Sequence, residues 1–353
     1  MMSLIFLLLF LPAQALSVDC KEQNLITESE SPFQKIPVYD QNGSGTCYAY
    51  TTAQLVDFHL IRKGAKERSV HPAWVSLVTA RRWFNDTLTD NSSTVKSLVA
   101  LSELKNCSYA TVSKSLATWA DKARVTESEI LNLIEKYSPI LKDMSLEKSS
   151  LSDEDFQSAM ELALDDHRSC TGNPAWDQLL PQLRALRVMS SPDMLSKLIL
   201  PTCETSKHAI KIPKPKYELL TEESAIIGKI ANKLDRLKSP VAITYCANVW
   251  RDPTYTGLKN RPMPAADCGQ HASIVVGKKM IGGACHLLVR NTWGKEFDSN
   301  NKKWTCLCKH KTTGEFLDNC TNDMNVNKQY DVEGCWIKGE VLSNNISEIT
   351  TLE

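Results

Sequence analysis

A cysteine, a histidine and an asparagine in this sequence have neighbours that suit thiol chemistry. Cys47 follows the Gly-rich turn 42–45, His271 opens one apolar segment, and Asn291 closes another. A cysteine attacks a carbonyl as its thiolate, which forms when a nearby imidazole takes the thiol proton. An asparagine bonded to the other imidazole nitrogen fixes the ring. The order cysteine, histidine, asparagine therefore predicts a catalytic site for acyl transfer.

Two further residues have a chemical role at such a site. Gln41, on the far side of the Gly-rich turn, can aim its side-chain amide at the same point as the backbone N–H of Cys47. Two such donors form an oxyanion hole. Trp293 can cover the hydrogen bond between His271 and Asn291 and exclude water from it. Cys47 or His271 alone would more often be structural, but the joint pattern favours catalysis.

The elements that position these residues follow from apolar spacing. From Cys47 to Ile61 the apolar residues recur at helical intervals, and the pair 63–64 is a stop signal. Cys47 therefore starts a helix, and a helix N-terminus lowers the pKa of a thiol. His271 is expected at the start of a strand and Asn291 at the end of a later one. The predicted strands are 240–245, 272–276, 286–289 and 334–338.

The two halves of the chain differ in pattern. Helices are expected after Pro72, in 126–134 and 152–164, and again in 222–237, whereas the strands all lie beyond 206. A helical half followed by a strand-rich half predicts an α+β protein. We expect a helical domain over 16–205 that carries Cys47 and a β-rich domain over 206–353 that carries His271 and Asn291.

The motifs resemble those of the papain-like cysteine peptidases. That family has a Gln, a Gly-rich turn with Cys and an aromatic residue, then His-Ala and Asn-Ser-Trp-Gly; this chain has Thr for Ser. The resemblance implies a two-domain fold with a helical left domain and a barrel-like right domain. It also implies peptide-bond hydrolysis through a thioester and no cofactor. The matching residues are Gln41, Cys47, Tyr48, His271, Ala272, Asn291, Trp293 and Gly294.

The same resemblance implies residues that contact the substrate. The segment 170–176 is similar to the family's cleft-lining segment, although an asparagine stands where the family has a second glycine. The residues on either side of His271 are assigned to the same role. The implied substrate-binding residues are Gly172, Asn173, Ala175, Gln270 and Ala272.

The chain also departs from the family. His271 follows Cys47 by roughly 220 residues, against about 130–150 in the family. The excess lies before Cys170, so we expect an inserted helical subdomain at about 75–165, acting as a lid, a docking surface for a protein partner or a folding aid. Ser44 stands where papain has the cysteine that bridges to the equivalent of Cys170. We therefore expect Cys170 to pair with Cys203 or Cys107 instead.

The N-terminus predicts export. Residues 1–15 combine an apolar run with a small-x-small ending, the pattern of a secretory signal peptide. Twelve cysteines in an exported chain favour disulfides over metal ligands, although 306–320 holds residue types that suit zinc. We expect a secreted protein, or one in a periplasmic or lysosome-like compartment, with no metal site.

Composition excludes several other classes. The 353 residues are 42% hydrophobic, and 41 basic residues balance 41 acidic ones. No basic block favours nucleic acid, and no later stretch reaches the roughly 18 apolar residues of a membrane span. The expected partner is a peptide or protein substrate. An exopeptidase, a deamidase, a transamidase and a papain-fold binding module without catalysis also remain open.

Overall fold

The computed structural model describes residues 20–41, 45–83, 92–104, 106–123, 127, 203, 210–220, 223–258, 266–295, 303–321 and 328–353. Short 3-10 turns lie at Pro32–Gln34 and Ala247–Trp250. The helices in these ranges are α1 (Cys47–Arg62), α2 (Pro72–Trp83), α3 (Thr94–Glu103), α4 (Tyr109–Ala123), α5 (Glu223–Leu237) and α6 (Gly339–Ser343).

Nine strands of the described residues form one antiparallel sheet. Their order is β2-β9-β3-β4-β5-β8-β6-β7, and the short β1 pairs with β4 beside this path. The strands are β1 (Gln23–Asn24), β2 (Pro215–Leu219), β3 (Val241–Cys246), β4 (Gln270–Ile281), β5 (Ala284–Arg290), β6 (Thr305–His310), β7 (Phe316–Cys320), β8 (Tyr330–Lys338) and β9 (Ile346–Leu352).

The α+β class is confirmed by this architecture. Helices α1 and α5 and strands β3, β4, β5 and β8 lie where apolar spacing predicts them. Strands β1, β2, β6, β7 and β9 were not predicted. Four of the five side chains of β7 are exposed and β2 has no fully buried residue, so neither strand has the apolar face that reveals a strand in sequence.

Helix α1 contacts both the other helices and the sheet within the described part of the chain. It packs against α2 and α3 on the helical side and against β3 and β4 of the sheet. Every residue from Cys47 to Phe58 is buried, which is the pattern of a helix covered on all sides. This burial holds α1, the helix that begins with Cys47, against β4, the strand that carries His271.

The segment before Cys47 is built into the sheet. Gln23 and Asn24 pair with β4, and the N–H of Leu25 donates to the carbonyl of Val276 at 2.9 Å. A Cβ on Gly277 would lie 2.6 Å from the backbone oxygen of Gln23, so only glycine permits this approach. The division into domains 16–205 and 206–353 stays a prediction. Strand β1 belongs to the first of these ranges in sequence but pairs with β4 of the second.

Five disulfides stabilise the described part of the chain. Both expected partners of Cys170 bond to each other, so that expectation is wrong, and Cys170 itself lies outside the described residues. Three of the cysteines considered as zinc ligands are in disulfides, as the preference for bridges predicts. The pairs are Cys20–Cys285, Cys107–Cys203, Cys246–Cys268, Cys306–Cys335 and Cys308–Cys320.

Several predictions fall on residues that the structure does not describe. The leader 1–15 and the predicted helix 152–164 lie outside the described ranges, as does most of 126–134. Of the expected insertion at about 75–165, the end of α2, all of α3 and all of α4 are described, and they are helical as predicted. None of the described helices is long and apolar enough to cross a membrane.

Asp57 should make the protein less stable as pH rises. This side chain of α1 is buried and accepts hydrogen bonds from the N–H groups of Ser69 and Val70. Burial raises its pKa to about 7. A folded-state pKa above the unfolded value gives stability that is complete below about 4 and is lost as pH rises through 7. We expect Asp57→Asn to reduce the fall in melting temperature between pH 5 and pH 8.

The comparison is the change in melting temperature across this pH range in the wild type minus the change in the variant. This difference cancels the other titrating groups, which the two proteins share. An equal fall in both proteins would contradict a buried, protonated Asp57.

Candidate active site

His271 and Asn291 meet at the edge of the strands that carry them. The distance between His271 Nε2 and Asn291 Oδ1 is 2.7 Å, which is a short hydrogen bond. His271 lies near the start of β4, and Asn291 lies just beyond the end of β5, its antiparallel neighbour. His271 is 4% exposed, so water does not compete strongly for this bond. The sheet register therefore sets the pair.

The same oxygen fixes which imidazole nitrogen holds the proton. The backbone N–H of Thr292 donates to Asn291 Oδ1 at 2.8 Å, and a backbone N–H can only donate, so the atom it faces is the oxygen. An oxygen facing Nε2 of His271 requires an N–H there. In the neutral ring, Nδ1 is then the basic nitrogen.

Two aromatic rings hold the imidazole in place. The ring of Trp293 lies 4.6 Å from that of His271 and is tilted by 32°. The ring of Tyr245 meets the imidazole edge-on, with 5.6 Å between centroids. Trp293 itself is anchored through Gly294, whose N–H donates to the Tyr39 carbonyl at 3.0 Å. These contacts restrict rotation of the imidazole, and the covering of its bond to the asparagine by Trp293 stays a prediction.

Gln41 is tied to the residue after Asn291. Its backbone N–H donates to the Thr292 carbonyl at 2.8 Å, and the Thr292 hydroxyl donates to Gln41 Oε1 at 2.5 Å. Because Oε1 accepts this bond, the amide NH₂ is the end of Gln41 that can donate to a substrate. Thr292 thus links the predicted oxyanion-hole residue to the histidine–asparagine pair.

Cys47 is the first residue of α1 and is a thiol, whereas the ten other described cysteines form disulfides. Its position at the positive end of a 16-residue helix favours the thiolate. A charge on Cys47 is one of the causes that raise the pKa of Tyr245, after the main cause, burial. The thiol is therefore within electrostatic reach of Tyr245, whose ring touches His271.

Burial of His271 should set the acid limit of the site. Loss of solvation lowers the pKa of His271 to about 4, and the hydrogen bond to Asn291 opposes this shift only in part. The imidazole therefore stays neutral, and able to take the thiol proton, down to about pH 4. We expect the rate of Cys47 alkylation by a small neutral reagent to fall as pH decreases through about 4.

This profile can be measured by mass spectrometry of the Cys47 peptide between pH 3 and pH 8. A midpoint near 6.5, the value of a solvated histidine, would contradict the effect of burial. A denatured sample supplies the control, because its thiol has no histidine partner and reacts according to its own pKa.

The remaining predicted site residues have different outcomes. Gly172, Asn173 and Ala175 lie outside the described residues. Gln270 is exposed and Ala272 is buried, and strand alternation puts both on the opposite face of β4 from His271. Their contact with substrate stays a prediction. Within the described ranges, no group of three or more His, Cys, Asp or Glu side chains is arranged to hold a metal ion.

Sequence reasoning missed the polar residues behind the site. Ser273 donates to Asn291 Oδ1 at 3.2 Å and lies 3.0 Å from the hydroxyl of Tyr245. The Trp250 indole N–H donates to that same hydroxyl at 2.7 Å. Alternation along 271–273 is a signal that could have found Ser273, since it puts this residue on the face of His271.

Comparisons with known proteins give distant similarities. No family model and no curated protein matches the sequence. Among solved structures, the chain is similar to xylellain, a cysteine protease from Xylella fastidiosa, at 14% identity and a TM-score of 0.41, over 94% of this chain and 85% of that chain. It is also similar to procathepsin B S9 from Trypanosoma congolense at 12% identity and a TM-score of 0.41, over 92% and 80% of the two chains.

A third similar structure is the digestive procathepsin L2 proteinase from Tenebrio molitor larval midgut, at 14% identity and a TM-score of 0.37, over 90% of this chain and 64% of that chain. These structures are papain-like cysteine proteases, the family that the motifs resemble. Similarity this distant carries no argument about activity.

Proposed function

We propose that this chain is a cysteine peptidase that hydrolyses peptide bonds with Cys47, His271 and Asn291. The observation that carries the proposal is the 2.7 Å bond between His271 and Asn291, which leaves Nδ1 of the imidazole as the basic nitrogen. Gln41, fastened to the same loop through Thr292, supports the assignment. Asn291 Oδ1 contacts His271, and Thr292, the next residue, bonds to Gln41, so the predicted site residues His271, Asn291 and Gln41 are joined by hydrogen bonds.

In the proposed reaction, His271 Nδ1 takes the proton of the Cys47 thiol, and the thiolate attacks the peptide carbonyl. The carbonyl oxygen becomes an oxyanion, which accepts hydrogen bonds from the Gln41 amide and the backbone N–H of Cys47. The imidazolium then gives its proton to the departing amine, leaving a thioester on Cys47. Water, deprotonated by His271, hydrolyses the thioester and restores the thiol. Asn291 holds the ring throughout.

We further propose that the protein functions in an oxidising compartment after export. Five disulfides among the described cysteines support this, because such bonds persist outside the reducing cytosol. The thiol of Cys47 would then be open to oxidation, so activity in vitro should require a mild reductant. The N-terminal 15 residues are the proposed signal peptide.

The experiment that tests the function labels the thiol through a peptide. Purified protein is incubated with a peptidyl epoxide at pH 5.5 under mild reduction, and the adduct is located by mass spectrometry. We expect one adduct, on Cys47, and parallel cleavage of a denatured protein substrate. Gln41→Ala, which keeps the thiol, should label more slowly.

No adduct on Cys47 in folded protein with a reduced thiol would overturn the proposal and favour a binding module. The reaction products distinguish an endopeptidase from enzymes that use the same residues for a different reaction. Release of single residues or dipeptides would indicate an exopeptidase. Release of ammonia without backbone cleavage would indicate a deamidase, and coupling to an added amine would indicate a transamidase.

A further inference from the structure

The back of the site contains a line of buried hydrogen bonds that the proposed chemistry does not require. It runs from the indole of Trp250 through Tyr245 and Ser273 to the side chain of Asn291. Trp250 and Tyr245 are 1% exposed and Ser273 is 0% exposed. The three distances are 2.7, 3.0 and 3.2 Å. Buried hydroxyls need partners, and these residues supply one another's.

The donors and acceptors allow only one direction of hydrogen-bond donation along this line, from Trp250 towards Asn291. The Trp250 indole can only donate, and Asn291 Oδ1 can only accept. Ser273 has one proton and gives it to Asn291, so the proton between Tyr245 and Ser273 belongs to Tyr245. Burial raises the pKa of Tyr245, which keeps that proton in place at any physiological pH. Each hydroxyl therefore donates once and accepts once in the same direction.

The sheet register explains why Ser273 rather than another residue reaches Asn291. Ile274 on β4 is opposite Arg290 on β5, and continuing this register puts Ser273 opposite Asn291. Tyr245 is opposite His271 on the neighbouring strand β3, so it lies diagonal to Ser273 on the same face. Tyr245 on β3 and Ser273 on β4 thus form one line of hydrogen bonds that ends at the Asn291 carboxamide.

Asn291 Oδ1 accepts hydrogen bonds from Ser273 and from Thr292, and the two bonds constrain the carboxamide differently. Thr292 is the next residue in the chain and moves with Asn291, so its N–H determines which atom faces inward but not where that atom lies. Ser273 is on the strand of His271 itself. Its hydroxyl therefore fixes the asparagine oxygen relative to the imidazole.

We propose that Ser273, oriented by Tyr245 and Trp250, is a positioning residue that holds Asn291 Oδ1 against His271 Nε2 and so keeps the imidazole in the Nε2–H form. This inference deepens the proposed function, since that tautomer is the one that leaves Nδ1 basic towards Cys47. Without the serine hydroxyl, the oxygen can move away from Nε2, and the Nδ1–H form becomes populated.

The test reads the tautomer directly, without turnover. Nitrogen-15 spectra of histidine-labelled protein are recorded at pH 7 in a Cys47→Ala background, where His271 has no thiolate partner and is neutral. His271→Ala in the same background assigns its signals. We expect the parent to show the Nε2–H form and Ser273→Ala to shift both ring nitrogens towards the average of the two forms.

Ser97→Ala is the matched control. Ser97 is also 0% exposed, accepts a hydroxyl from Thr79 at 3.1 Å and donates to the Ser93 carbonyl at 3.2 Å, but it lies on α3 away from the site. It should lose a comparable buried hydrogen bond and leave the spectrum of His271 unchanged. An equal change in the His271 signals of both variants would overturn the proposal, because it would indicate a general loss of packing rather than a specific effect of Ser273.

Kinetics supply a second readout in the chain that retains Cys47. If kcat scales with the fraction in the Nε2–H form, a shift to the average of the two forms in Ser273→Ala should lower kcat by up to about twofold with KM unchanged. Unchanged His271 signals in folded Ser273→Ala overturn the proposal. If that variant fails to fold, Ser273→Cys, which keeps a similar side chain but has a much weaker donor, replaces it, and unchanged signals there also overturn the proposal. A tautomer shift in a protein that cleaves no peptide would support the positioning role while refuting the peptidase function.

Discussion

Replacing His271 by alanine is expected to lower kcat/KM for peptide cleavage by about a thousandfold or more. General acid–base transfer by a positioned side chain contributes about 10²- to 10⁴-fold, and here one imidazole both activates the thiol and protonates the leaving amine. Because the side chain is buried between aromatic rings, no solvent base can take its place. The measurement is the initial rate on a fluorogenic peptide with the concentration of intact thiol determined separately.

His286→Ala is the control for this loss. It removes a histidine from β5, in the same sheet, whose Nδ1 lies 3.0 Å from the Ala284 carbonyl and which has no contact with the site residues described above. We expect less than a twofold change in its rate. A comparable loss in both variants would mean that the sheet, rather than the imidazole, was damaged. Activity in His271→Ala within tenfold of the wild type would remove His271 from the mechanism.

The helix that carries Cys47 and the strands that carry His271 and Asn291 could be predicted because their signals are local. The stop signal at 63–64 ends the apolar helical pattern next to the observed end of α1 at Arg62. The predicted strands 272–276 and 286–289 fall within β4 and β5, although β4 continues five residues further, to Ile281. Both kinds of pattern depend only on residues close together in sequence, so one sequence is enough to recognise them.

The contacts that complete the site depend on sheet register, which no single strand reveals. Ser273 and Tyr245 are ordinary strand residues until β3 and β4 are aligned so that Tyr245 is opposite His271. Thr292 looked like a replacement for serine in a motif, whereas the structure gives it hydrogen bonds to both Gln41 and Asn291. Such roles arise from pairing across the sheet.

Disulfide connectivity was beyond reach for a similar reason. Cys20 and Cys285 pair across 265 residues of sequence, because β1 brings the lead segment to the sheet. The expected bond of Cys170 relied on resemblance to a family that has a different cysteine set. Cys107 and Cys203 instead close a loop that contains Cys170 in sequence.

Gln41→Ala is expected to lower kcat by about 100- to 1,000-fold while leaving KM within about twofold. Loss of one oxyanion-hole donor has this magnitude when the donor is held in place before the reaction. The structure holds Gln41 through its backbone N–H and its Oε1, both bonded to Thr292, so the amide NH₂ does not have to be ordered by the substrate. A donor that acts on the developing oxyanion changes kcat rather than ground-state binding.

Gln23→Ala serves as the matched control, because Gln23 is another buried glutamine of the lead segment and its amide donates to the Leu234 carbonyl at 3.2 Å. It should lower stability without changing kcat. The kinetic constants of both variants are measured on one peptide, with thermal melting of each protein alongside. A rise in KM with unchanged kcat in Gln41→Ala would mean that this amide binds the substrate carbonyl in the ground state, and the oxyanion hole would then have to be formed by other donors.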